Sequence, residues 1–354
     1  MKFERCKYNP IIKASNFIPC NDKLKVLLSF NPGVTTYKGD VVLIARVAVL
    51  AKENKENTIG VPIYNPNTGD IDIKEFDKKD SSCDFSDPRL IRRGNDLYLT
   101  TLSYFALLTS KDGIHFKIKN KAFMIGDNDY ESFGIEDPRI TKINDYYYIN
   151  YSGVSKDGIC TMLARTKDFE SVEKLGPIFM PDNKDVVIFP KKINKKYVAI
   201  SRPESAYFKK PNMWMSYSKD LLSWGEHRIF LRLRENHFDS SRLGASCVPF
   251  VVKEGWLLIY HGATKNNVYT LGACLLDKND PSIVLKRTKE PIMVPLTDYE
   301  RNGFMPNVVF SCGCIKKGNN LYIYYGACDE SICLASTKIS NILDLLNNEE
   351  QCEK

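Results

Sequence analysis

A unit of roughly 50 residues that recurs along the chain constrains its fold more than any other feature, because repeats of this length build stacked or closed arrays. Asp87-Pro88-Arg89-Leu90 is followed by a polar turn at Arg93-Gly94-Asn95-Asp96, a β-rich run from Leu97 to Leu102, and Ser110-Lys111-Asp112-Gly113. Asp137-Pro138-Arg139-Ile140 opens the same plan again, with a turn at Asn144-Asp145, a run from Tyr146 to Tyr151, and Thr166-Lys167-Asp168-Phe169. Looser copies begin at Phe189-Pro190, Val248-Pro249 and Asn307-Val308, with later marks at Ser218-Lys219-Asp220, Leu276-Asp277 and Ala335-Ser336. The copies start near 87, 137, 189, 248 and 307.

Within each unit, short runs rich in Val, Ile, Tyr and Leu lie between Gly, Asn, Asp and Lys turns, the pattern of strands joined by hairpins. Four strands fit each unit. The expectation is therefore an all-β chain, a five-bladed β-propeller occupying residues 1–354 as a single domain. Val41–Val49 is strand-like but precedes the first clear unit, so it is expected to complete the last blade and close the ring. A pair of β-sandwiches is the alternative. One helix is expected, over Ile339–Glu350, capped by Ser340.

Charge and composition narrow the partners. The net charge is +7, from 50 basic and 43 acidic residues, but no long block of like charge occurs, so nucleic acid is not an expected partner. Lys2, Glu4, Arg5 and Lys7 leave no room for a signal peptide at the start, and no run approaches the ~18 apolar residues of a membrane span. A cytoplasmic location with no membrane contact is expected. The eleven cysteines are irregularly spaced, with only Cys312 and Cys314 close together, which suits reduced thiols better than a metal site. No dinucleotide fingerprint, P-loop or zinc motif is present, so neither a metal nor an organic cofactor is expected.

In a propeller the chemistry is sought at the mouth of the central channel. Glu136 and Asp137 are adjacent carboxylates, and on an extended strand only one of them should face the channel, where it could act as a general acid. Asp137 with Arg139, and Asp87 with Arg89, could equally form a repeated structural ion pair between blades. Lys184, Arg202 and Arg242 lie at strand ends assigned to different repeats, a placement that could gather them around a phosphate. His261, Tyr269 and Asp329 are expected to end strands in the same register. Trp214, Trp224, Tyr104 and Tyr207 could stack on sugars or pack in the core.

With the residues laid out this way, the chain resembles glycoside hydrolase family 130, the mannoside phosphorylases and related mannosidases. The resemblance rests on Asn31-Pro32-Gly33, Glu136-Asp137-Pro138-Arg139, Lys184-Asp185, Phe189-Pro190, Arg202-Pro203 and Gly255-Trp256-Leu257-Leu258-Ile259-Tyr260-His261-Gly262. It continues through Tyr299-Glu300, Pro306-Asn307-Val308-Val309-Phe310 and Tyr324-Tyr325-Gly326-Ala327-Cys328-Asp329, and so covers most of the chain in order. It implies a five-bladed propeller and an inverting reaction with Asp137 as general acid, passing its proton through a sugar hydroxyl to the glycosidic oxygen. Inorganic phosphate, the co-substrate, would attack the opposite face and give α-mannose 1-phosphate, and the reaction could run in reverse.

An inverting hydrolase needs a second carboxylate to activate water, whereas phosphate arrives as an anion and needs cations instead. The resemblance assigns phosphate binding to Lys184, Arg202, Arg242, His261 and Tyr269. Substrate contacts fall to Asn31, Arg46, Asp87, Arg89, Glu136, Arg139, Asp185 and Asp329. Arg242 stands where many relatives have Lys, and Ala245-Ser246-Cys247-Val248-Pro249 replaces a more Gly- and Pro-rich stretch. The preferred substrate is β-1,2-mannobiose or oligomannan. The alternatives are a β-1,4-mannosyl phosphorylase, a phosphate-independent β-1,2-mannosidase using Glu204 or Glu131, and a non-catalytic glycan-binding propeller. A homo-oligomer is compatible with the resemblance.

Overall fold

The chain is all-β, as a computed structural model that describes residues 3–52, 55–204 and 207–348. Among these residues, five antiparallel sheets follow one another. The first contains Leu24–Tyr37, Asp40–Ala51, Leu102–Ser110 and Lys117–Met124; the second runs through Ile135–Ile143, Tyr146–Ser155, Gly158–Thr166 and Glu173–Phe179. The third is Asn183–Ile188, Tyr197–Pro203, Met213–Ser218 and Trp224–Leu231. The fourth is Arg242–Ala245, Trp256–Ala263, Tyr269–Leu276 and Val284–Arg287, with the short Phe250–Val251 paired onto it. The fifth takes Val309–Lys317, Asn320–Ala327 and Ser331–Lys338 from the end of the chain and Glu4–Arg5 from its start.

Each sheet is buried on both faces. Leu43 and Ala45 pack against the fifth sheet while Ile44 and Val42 pack against the second. In the fourth sheet Trp256, Leu258 and Tyr260 pack toward the third sheet, and Leu257 and Ile259 toward the fifth. Alternation with two apolar faces explains why these strands read as continuous apolar runs. One cluster is shared by each successive pair of sheets, including the fifth and the first.

The recurring Asp has a local cause. Asp112, Asp168, Asp220 and Asp277 each follow the third strand of a sheet and accept two backbone N–H groups two to three residues on, which turns the chain into the outer strand. The fifth copy has no such turn because its outer strand is Glu4–Arg5, paired with Ser336 and Ala335. Arg5 is fixed there by buried Glu300, 3.0 Å away, which also accepts the Tyr325 hydroxyl at 2.6 Å.

Two expectations are corrected here. Val41–Val49 lies inside the first sheet, paired on both sides, and the strand that joins the two ends of the chain is Glu4–Arg5. The copy near 87 does not open a sheet of the main series: Leu90–Arg93 and Asp96–Leu99 form a separate three-stranded sheet with Cys83–Asp84. The chain leaves the ladder at Thr100 and Thr101, so Leu97–Leu102 is not one strand. This small sheet and the hairpin Thr58–Asn65/Asp70–Asp77 are inserted between the second and third strands of the first sheet, around a core of Val61, Phe76 and Ile91. The terminal helix spans Ile339–Asn347, and Glu350 lies outside the described residues. Ser340 does not cap it; its backbone N–H donates instead to Asn319 Oδ1.

Candidate active site

A cavity of 580 Å³ is lined by residues of all five sheets, within the usual ~300–1,000 Å³ of small-molecule sites. The small inserted sheet adds an apolar wall of Leu90, Leu97 and Leu99, with Arg89 at its edge.

The first strands of the first three sheets share one distortion. Their registers break after Phe30, Glu136 and Lys184, and Asn31, Asp137 and Asp185 have φ of +46°, +53° and +55°. These are bulges, and a bulge suspends the alternation of a strand. Glu136 and Asp137 therefore both line the cavity, as do Lys184 and Asp185, which overturns the expectation that only one of Glu136 and Asp137 faces it. Asn and Asp tolerate this left-handed conformation better than most residues.

One end of the cavity is acidic. Arg46 reaches Glu136 Oε1 through Nη2 at 2.6 Å and Asp137 Oδ1 through Nη1 at 3.0 Å, while its Nε donates to Ser103 Oγ. Its guanidinium lies 4.4 Å from the Phe30 ring centroid. Asn31 Nδ2 also donates to Asp137 Oδ1, at 3.0 Å. Asp137 Oδ2 has no hydrogen-bond partner among the described residues. Gly33 makes this contact possible: a Cβ there would lie 2.7 Å from the Pro138 carbonyl oxygen, so only glycine lets the first strand approach. Gly326 does the same on the other side, where a side chain would collide with the Asn31 amide. Asp329, itself at φ +52°, completes the group. Burial, with Asp137 and Glu136 close by, pushes its pKa up to about 6, although Arg46 and Arg89 oppose the shift.

The other end is cationic. Lys184 and Arg202 are cross-strand partners, and Arg242 opens the fourth sheet, where its Nη1 donates to the Tyr269 hydroxyl at 2.8 Å. Buried Asp185 is the pivot: Arg139 Nη2 lies 3.0 Å, Arg202 Nη2 3.2 Å and His261 Nε2 3.3 Å from its oxygens. Burial alone would raise the Asp185 pKa, but Arg202, His261 and Arg139 outweigh it and hold the carboxyl well below the usual range. Burial lowers the pKa of His261 despite Asp185, so the imidazole is neutral near pH 7. Gly244 leaves room for both, since a Cβ there would stand 2.6 Å from Asp185 Oδ2 and from His261 Cε1. Among the described residues no carboxylate pairs with Lys184.

The sequence model described as beta-1,4-mannooligosaccharide phosphorylase, that of glycoside hydrolase family 130, matches residues 101–348. The chain belongs to glycoside hydrolase family 130. It is 45% identical over 353 residues to a beta-1,2-mannobiose phosphorylase of Listeria innocua, covering 99% of each chain. A 1,2-beta-oligomannan phosphorylase of a Thermoanaerobacter species is 41% identical over 69% of this chain and 81% of its own. The solved Listeria innocua beta-1,2-mannobiose phosphorylase, in complex with beta-1,2-mannobiose, superposes with a TM-score of 0.95 at 45% identity, over 99% of this chain and 100% of that one.

The family 130 cavity gathers most residues singled out in the sequence. Asn31, Arg46, Arg89, Glu136, Asp137, Lys184, Asp185, Arg202, Arg242, His261, Tyr269 and Asp329 all line it. Asp87 and Arg139 do not. Asp87 forms a bidentate pair with Arg89 at 2.9 and 2.7 Å and orients it. Arg139 is 1% exposed and runs from the Asp137 carbonyl to Asp185, a strut behind the wall rather than a contact in the cavity. Lys184 and Arg202 come from one sheet and not two, and Tyr269 begins its strand while Asp329 follows the end of its own.

None of the four aromatic residues considered for stacking lines the cavity. Tyr104 is buried in the first sheet, Trp224 packs on Phe179, Trp214 is half-buried in the third sheet, and Tyr207 is exposed. Phe30, Phe133, Phe304 and Phe310 line it instead. Glu131 is fully buried against Tyr151 and Lys174, away from the cavity, whereas Glu204 lines it. The apolar wall from the inserted sheet was missed, since its short strands carry no mark that separates lining from core.

Proposed function

We propose that this chain is an inverting phosphorylase that cleaves β-1,2-mannobiose with inorganic phosphate, giving mannose and α-mannose 1-phosphate. The five sheets are taken as the blades of one five-bladed propeller, with residues 1–354 as a single domain; the five inter-sheet clusters, shared also by the fifth and first sheets, support that reading. The carrying observation is that one cavity holds a carboxyl with a free oxygen, Asp137, together with a separate group of three cations, Lys184, Arg202 and Arg242.

Asp137 Oδ2 supplies the proton, through a sugar hydroxyl, to the departing glycosidic oxygen while Asn31 and Arg46 fix Oδ1. Arg202, Arg242 and Lys184, with the Tyr269 hydroxyl, hold the attacking phosphate, and neutral His261 keeps Asp185 in place. The C1–O bond to the leaving mannose breaks as a phosphate oxygen bonds C1 from the opposite face, so a β-mannoside becomes an α-phosphate. No carboxylate base is required, because the nucleophile is already an anion. Glu136, Asp329 and Arg89 are assigned to sugar hydroxyls. The reaction is placed in the cytoplasm, supported by the unpaired thiols of the ten described cysteines.

Incubation with β-1,2-mannobiose, with and without phosphate, tests the proposal. Mannose 1-phosphate that forms only with phosphate is the expected result. Free mannose in equal amounts in both incubations would identify a hydrolase, and turnover of β-1,4-mannobiose alone would overturn the linkage.

A further inference from the structure

One carboxylate stands where an anion site should exclude it. Glu204 follows the strand Tyr197–Pro203, and its backbone N–H donates to the Asp182 carbonyl at 2.9 Å, which pins it at the cavity wall. Its Oε1 lies 2.8 Å from Arg202 Nη2, the same nitrogen that contacts Asp185. Arg202 is 4% exposed, its Nε has no hydrogen-bond partner among the described residues, and Glu204 is 38% exposed. Glu204 also contributes, after Tyr269, to the raised pKa of Arg242, so it lies within the field of two of the three cations assigned to phosphate.

A carboxylate in this place repels a tetrahedral anion that carries only acceptor oxygens. It becomes a partner if the anion brings a proton, because a carboxylate accepts a hydrogen bond and cannot donate one. Phosphate near neutral pH always carries at least one O–H, and arsenate does likewise; sulfate carries none. We propose that Glu204 selects a protonated oxyanion, hydrogen phosphate over sulfate, by accepting its O–H while Arg202 and Arg242 hold the remaining oxygens. The inference rests on the phosphorylase reading above. A site that offers an acceptor to a ligand O–H disfavours an analogue lacking it, since the carboxylate then meets only like charge.

The test compares wild type with Glu204→Gln and Glu204→Asp. Sulfate is measured as a competitor of phosphate in phosphorolysis of β-1,2-mannobiose, and arsenate as a replacement for phosphate. Calorimetric titration of phosphate and sulfate into the sugar-free protein gives the same preference without turnover, with circular dichroism as the check on folding. In wild type the sulfate inhibition constant should exceed the phosphate KM by about 100-fold or more, while arsenate supports turnover. In Glu204→Gln, whose amide can donate to sulfate, the preference should narrow by at least about tenfold, with Glu204→Asp between the two. Sulfate competing with wild type as well as phosphate binds, or an unchanged preference in Glu204→Gln, would overturn the proposal. Phosphate-independent mannose release by wild type would defeat the phosphorylase reading separately; its loss in Glu204→Gln would make Glu204 a base for water and overturn the selectivity role too.

Discussion

The two ends of the cavity are built on inverse plans. At one end Arg46 pairs with both Glu136 and Asp137, with Asp329 beside them; at the other, Arg139 and Arg202 converge on Asp185, with Lys184 and Arg242 alongside. Two aspartates of the same chemistry therefore titrate in opposite directions. Asp329, half-buried beside carboxylates, is pushed up to about 6, whereas Asp185, buried among cations, is held well below the usual range. Burial penalises both charges, and the neighbours decide the sign. The acidic end is thereby suited to holding a proton, and the cationic end to taking up an anion.

The largest effect is expected where the proton is delivered. Asp137→Asn preserves an acceptor for Asn31 and Arg46 and suits the left-handed backbone, but it has no proton to give. Phosphorolysis should fall by about 10⁴-fold, at the upper end for a general acid, with the circular dichroism spectrum unchanged. A loss below about tenfold would move the donor role to another carboxyl of the acidic group.

Next in size is Asp185→Asn, which removes the pivot of the cationic end. Asparagine also accepts φ +55°, so the backbone is kept and the loss is one of charge. Arg139 is left buried without its counter-ion, at a cost of about 3–5 kcal/mol, while Arg202 keeps Glu204. Because the folded pKa is depressed, the stabilisation exists above the unfolded value of about 4 and disappears as pH falls through the folded value. The difference in denaturation midpoint between variant and wild type should therefore be full at pH 7 and shrink in strong acid.

Asp329→Asn probes the same comparison with the opposite sign. A folded pKa near 6 against an unfolded value of 3.8 means that the native state gains a proton, so Asp329 costs stability progressively between those pH values and fully above 6. The shift corresponds to about 3 kcal/mol at most, and water in the cavity trims it to about 2. Asp329→Asn should be more stable than wild type at pH 7.5, equal to it near pH 4, and less active. Urea denaturation at both pH values checks the sign; a variant less stable at pH 7.5 would show that Asp329 is a structural anchor.

Much of this was legible in the sequence, and the failures have particular causes. The Asp that follows the third strand in four copies is a turn device visible in the sequence, which is why the later sheets could be told apart; the starts near 189 and 248 nevertheless fall beyond the first strands Asn183–Ile188 and Arg242–Ala245. Asp87-Pro88-Arg89 misled because it matches Asp137-Pro138-Arg139 in letters only: Asp87 chelates its own Arg89 on an exposed loop, while Asp137 sits in a bulge fixed by Asn31 and Arg46. Alternation predicted one inward carboxylate of Glu136 and Asp137, and the bulge turned both inward. The resemblance assigned Arg139 to the substrate, yet Asp185 and the Ala245 carbonyl keep it inside.

The smallest effect separates charge from geometry at the cationic end. Arg242 lines the cavity and donates to the Tyr269 hydroxyl through Nη1, which anchors its planar fork. Lysine keeps the charge, and so keeps the contrast with the acidic end, but it offers a point charge on a flexible stem. Arg242→Lys should therefore raise the KM for phosphate about three- to fivefold, near 1 kcal/mol, and leave the KM for β-1,2-mannobiose unchanged. Arg242→Ala, which removes the charge too, should raise the phosphate KM further. If the Lys and Ala variants were equally impaired, the planar fork and its tyrosine contact would matter more than the excess of positive charge; an equal rise in both KM values would place Arg242 at the sugar instead.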